Sequence, residues 1–152
     1  MIFSFGHPEL ERIEVDVLRY ERAPVGGQED DNRLTIDIRV QAGGFYGKMA
    51  ATILTDDLAG FASQLRPLHE TLEGTAELTT MEGQLSLRLT GNGNGQIELR
   101  GEIADRPGVG NHLSFHLEFD QSQLGASIQE LECVAAQFPA RVAQPSVASH
   151  AL

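Results

Sequence analysis

Between Thr55 and Leu72 the large apolar residues Leu58, Phe61, Leu65, Leu68 and Leu72 recur every three or four positions. At 100° per residue they fall within an arc of about 80°, which predicts one helix with a single apolar stripe. Thr55 stands where an N-cap belongs, and Asp56 and Asp57 follow at the positive end of the helix dipole, so the two aspartates need no catalytic explanation. Pro67 lies opposite the stripe and predicts a kink or split. Gly74 supplies a C-terminal stop. Gln123 to Phe138 returns to the same period, with Leu124, Ile128, Leu131, Val134, Ala135 and Phe138 on one side and Cys133 opposite.

The rest of the chain alternates with period two. Ile13, Val15 and Val17 face one way, after which Leu18 and Tyr20 slip out of phase, the mark of a bulged strand. Leu34, Ile36, Ile38 and Val40 follow, then Phe45 to Leu54, where Tyr46 and Lys48 point outward opposite Phe45 and Met49. Beyond the first helix come Thr75–Thr80, then Leu85, Leu87 and Leu89, then Ile97, Leu99 and Ile103, then Leu113, Phe115, Leu117 and Phe119. Turns fall at 42–44, 81–83 and 91–95, and longer loops at 24–32 and 104–111. The expectation is an α+β fold, a mainly antiparallel curved sheet of about seven strands in the order β-β-β-α-β-β-β-β-α, with two helices packed on it. Residues 1–138 form a single domain, and residues 139–152, small and polar, form a mobile tail.

Charge narrows the partners. The 22 acidic and 11 basic side chains give a formal net charge of −11, which repels polyanions at long range. That argues for a basic protein partner and against nucleic acid and anionic membrane surfaces. No apolar run approaches the roughly 20 residues of a spanning helix. The N-terminus MIFSFGHPEL lacks the basic and apolar regions of a secretory signal, so a cytoplasmic location is expected. Cys133 is the only cysteine, which excludes an intrachain disulfide.

Catalytic signatures are absent. GNGNG at 91–95 lacks the GxGxxG spacing and joins two strands, so it is no phosphate cradle. Glu29, Asp30 and Asp31 do not match a calcium loop, and no metal or cofactor is expected. The best candidate surface is the wet row opposite Leu113–Phe119: His112, His116, Glu118 and Asp120. His116 and Glu118 share one face about 7 Å apart, whereas His112 and His116 are about 13 Å apart, too far to share a metal. Catalysis there would need Glu98 or Arg100 to converge with them in a cleft.

The segments AGGFYGKMAA, LTDDLAGFASQLRPLHETLEGTAEL, MEGQLSLRLTGNGNGQIELRGEI and GNHLSFHLEFDQSQL, in that order before a closing helix, resemble those of the small bacterial WapI-type immunity proteins. The landmarks are Gly47, Asp57-Leu58, Phe61, Leu65, Leu72, Gly74, Glu82-Gly83, Gly95, Gly101 and Asp120-Gln121, across Leu34 to Phe138. The resemblance implies a non-catalytic cytoplasmic protein that neutralises a toxin by binding it. A small-molecule binder with a pocket between sheet and helices is the alternative, and sheet edges left open make a homodimer an expectation.

Overall fold

The computed structural model describes residues 1–142, so residues 143–152 of the expected mobile tail lie outside the described residues. Two four-stranded antiparallel sheets replace the single curved sheet. The first is β1 (Ile2–His7), β2 (Glu11–Tyr20), β3 (Arg33–Ala42) and β4 (Phe45–Leu54), with a short helix α1 (Gln28–Asp31) between β2 and β3. Helix α2 (Thr55–Thr71) follows. The second sheet is β5 (Glu73–Thr79), β6 (Leu85–Asn92), β7 (Gln96–Arg106) and β8 (Val109–Asp120), and helix α3 (Gln121–Gln137) follows it. The chain is thus four strands and a helix, twice over.

The extra strand is β1, where Phe3 and Phe5 alternate with Ser4 and Gly6 and are almost fully buried. The sheet divides because α2 separates β4 from β5, so those strands never pair. The phase slip in β2 is a register shift against β3 between Val17 and Arg19.

One continuous core joins the inward faces of both sheets to the stripes of α2 and α3. Leu58, Phe61, Leu65 and Leu68 of α2 and Leu124, Ile128, Leu131 and Val134 of α3 are buried there. Phe5 sits at the junction, its ring centroid 5.7 Å from that of Phe61 and 6.2 Å from that of Phe119. Fully burying a side chain of this size is worth about 1.5–3 kcal/mol, which is why α2 runs unbroken through exposed Pro67.

Two end details of α2 differ from the sequence expectation. Leu54 is the N-cap, its backbone N–H satisfied by Asp57 Oδ2 at 3.0 Å, while Thr55 Oγ1 is buried without a hydrogen-bond partner among the described residues. Leu72 rather than Gly74 closes the helix in the left-handed region, at φ 59°.

Each helix seals an edge of the other sheet. Gln64 of α2 accepts the Glu77 N–H and donates to the Glu77 carbonyl, closing the free side of β5. Glu130 of α3 accepts both the Ser4 N–H at 3.1 Å and the Ser4 hydroxyl at 2.9 Å, closing β1. Unpaired edge groups would otherwise template aggregation.

Candidate functional site

The wet row of β8 lies on the outer face of the second sheet, and antiparallel register decides what stands beside it. Glu98 of β7 is directly opposite Glu118, Arg100 opposite His116, and Ala104 opposite His112. His116 Nε2 is 3.4 Å from Glu98 Oε1 and 3.9 Å from Glu118 Oε1. Arg100 Nε lies 2.7 Å from the same Glu98 oxygen. His112 is separate, its Nδ1 3.1 Å from Glu102 Oε1. The two histidines therefore share no carboxylate.

Asp120 does not join this group. It caps α3, accepting the N–H groups of Ser122 at 3.0 Å and Gln123 at 3.1 Å and the Ser122 hydroxyl at 2.6 Å, while Gln123 returns a bond to its N–H. The Ser122 hydroxyl, with the Gln123 N–H, holds the Asp120 carboxyl below the usual range.

Ligand atoms of Glu98, His116 and Glu118 lie within 4.8 Å of one another, close enough for all three to reach one divalent cation. The donors stand on an open sheet, with His116 45%, Glu98 41% and Glu118 64% exposed, and Arg100 already neutralises Glu98. This is an exposed charged lattice, open to water at all three donors. The face continues through Glu77 and Arg88, 3.4 Å apart, and through Glu102.

The acidic loop is held from within. Asp31 is buried, and its carboxylate accepts the N–H groups of Val25 at 3.0 Å and Gly26 at 2.8 Å as well as Arg22. The Val25 N–H, followed by the Gly26 N–H and Arg22, pulls the Asp31 carboxyl down. Arg141 locks onto this loop: it lies over the Tyr20 ring at 3.8 Å, donates to the Arg22 and Asp31 carbonyls, and pairs backbone-to-side-chain with Asn32. A hollow of about 410 Å³ opens between this loop, the start of α2 and Arg141.

A family model describes the immunity protein WapI-like family and matches residues 4–139. The chain belongs to that family. The match takes in most of β1 and all of β2, which the sequence resemblance left out, and ends just after α3. None of the curated proteins matches the sequence.

Solved structures of similar shape exist at low identity. The plant transcriptional regulator PBF-2 gives a TM-score of 0.52 at 10% identity, covering 91% of this chain and 81% of that one. MRP1/MRP2 of Trypanosoma bruciei gives 0.49 at 16% identity, covering 90% and 84%. A guideRNA-binding protein complex bound to a gRNA gives 0.49 at 15% identity, covering 89% of each chain.

One expectation is corrected. Net charge does not by itself exclude nucleic acid as a partner. The physical reason is that net charge is a sum, screened beyond about 8 Å at physiological salt, whereas contact is decided by local distribution. Here Arg12, Arg39 and Lys48 gather on one sheet face, a clustering across three strands that only the strand register discloses. Among the described residues no helix is long and apolar enough to cross a membrane.

Proposed function

We propose that this WapI-like family member is an immunity protein that works in the cytoplasm by binding a toxin directly, and that the outer face of its second sheet is the docking surface. Family membership across residues 4–139 carries the reading. The surface supports it: Glu77, Glu98, Glu102 and Glu118 stand against Arg88 and Arg100 on a flat, solvent-facing lattice. Such a face meets a basic partner through many rim-type contacts, which govern association rate and salt dependence.

The test is co-expression with each candidate toxin reading frame found beside this gene. The chain should restore growth and co-purify with the toxin, and added salt should weaken the complex. Replacing Glu98 and Glu118 together with Lys should slow association at least about tenfold at low salt while the protein still melts like the parent. Unimpaired association of that variant would remove this face from the interface, and absence of any complex would remove the direct-binding mechanism.

A further inference from the structure

The outer face of the first sheet is built differently. Register places Gly6, Arg12, Gln41 and Tyr46 in one row across β1–β4, and Ser4, Glu14, Arg39 and Lys48 in the next. Three cations thus occupy two adjacent rows against one carboxylate, in a chain whose formal charge is −11. Glu14 answers only Arg12, with its Oε1 3.1 Å from the Arg12 Nη2. Arg39 and Lys48 have no ion pair or hydrogen bond among the described residues, although they stand directly opposite each other. Like charges so placed destabilise a sheet. Nε of Arg12 is buried with no hydrogen-bond partner among the described residues, so one donor of that guanidinium lacks an acceptor.

A hollow of about 250 Å³ opens here, lined by Arg12, Glu14, Arg39, Gln41 and Tyr46 among others. Tyr46 is 66% exposed and also borders a neighbouring hollow of about 200 Å³ that takes in Lys48. Phe45, expected to face the core, is 68% exposed beside it.

This donor set has a definite complement. Guanidinium forks match the oxygens of a phosphate, and an ammonium adds a point charge. The Gln41 amide offers both a donor and an acceptor to a ring edge or sugar hydroxyl. An open aromatic face beside cations stacks a planar base. A metal ion is excluded by the sign of the charge, and a simple anion leaves the exposed aromatic surface without a counterpart.

We propose that this hollow binds a nucleoside phosphate, with the phosphate between Arg12 and Arg39 and the base against Tyr46. The unit is either a free nucleotide or one residue of a single strand whose next phosphate meets Lys48. The site is on a different sheet from the toxin-docking face and does not depend on it.

The test uses the full chain and three probes at low salt: inorganic phosphate, AMP, and a fluorescein-labelled single-stranded oligothymidylate, followed by calorimetry and anisotropy. Arg39→Glu should weaken all three by about tenfold or more, as loss of a charged hydrogen bond does. Tyr46→Ala should weaken AMP and the oligonucleotide at least about fivefold and leave phosphate within about twofold. Arg88→Glu, which makes the same change in formal charge on the other sheet, should stay within about twofold for every probe.

A strand-binding site shows as an oligonucleotide tighter than AMP, and a free-nucleotide site as AMP at least as tight. Lys48→Glu replaces Arg39→Glu if the latter melts below the parent. Failure of the parent to bind any probe, or equal losses in Arg39→Glu and Arg88→Glu, overturns the proposal. Equal retention of phosphate and AMP by Tyr46→Ala overturns its base-stacking part.

Discussion

Gly101 offers a sharp test of the packing. It lies in β7 between Leu87 and Phe115, on the inward face of the second sheet. The Phe115 ring is folded across the missing side chain: a Cβ at Gly101 would stand 2.2 Å from the Phe115 Cζ and 2.4 Å from its Cε2. Gly101→Ala must therefore push a ring that is only 7% exposed out of a filled core. Overpacking of this kind costs about 1–3 kcal/mol, and replacing a strand glycine returns about 0.5–1 kcal/mol of backbone entropy. Because the overlap is with a rigid ring, the upper part of that cost applies, and a net loss of about 1–2 kcal/mol remains. For a chain of this size that lowers Tm by roughly 2–8 °C in a thermal melt.

Gly60, on α2, has nothing within 4 Å of the same added carbon. Gly60→Ala should gain about 0.4–1 kcal/mol and raise Tm by roughly 1–4 °C, so one substitution has opposite signs at two sites. Phe115→Leu in the Gly101→Ala background should restore part of the loss, because the two side chains are coupled. A Gly101→Ala variant that melts at or above the parent would refute the ring-over-glycine packing.

Other consequences are as direct. Leu65 is fully buried, so Leu65→Asp should abolish the cooperative melt and the near-ultraviolet dichroism of fixed aromatic packing. Glu130→Ala leaves the Ser4 N–H and hydroxyl unpaired and should cost about 1–2 kcal/mol in urea denaturation. Backbone N–H groups, that of Val25 first, depress the carboxyl of Asp31 in the folded state. Its stabilisation is thus present above its unfolded value near pH 4 and lost as pH falls through the folded value. Asp31→Asn should be less stable than the parent at neutral pH in urea titrations, with the gap closing in strong acid.

Periodicity reports which way a residue faces, and there the sequence was legible. The α2 stripe from Leu58 to Leu68, the Leu34–Val40 strand and the Leu113–Phe119 strand all face the core as their spacing requires. Periodicity does not report which strands pair. Phe3 and Phe5 carried a strand signal, but it was short and terminal, and without it the two matching units could not be seen. The same limit applied to the surfaces. His116 and Glu118 are neighbours along one strand and could be placed together, whereas Glu98 and Arg100 join them only through the β7–β8 register. Asp120 continues the alternation yet belongs to the next helix, where its side chain is spent on the cap. Arg12, Arg39 and Lys48 come from three strands, and a whole-chain charge total conceals them.

The reciprocal sealing of β5 by Gln64 and of β1 by Glu130 means that neither half is finished on its own. A chain cut between Leu72 and Glu73 should yield two pieces that stay sticky apart and reassemble when mixed. The same lock has a second solution, in which two molecules trade their C-terminal halves and every bond is remade in a domain-swapped pair.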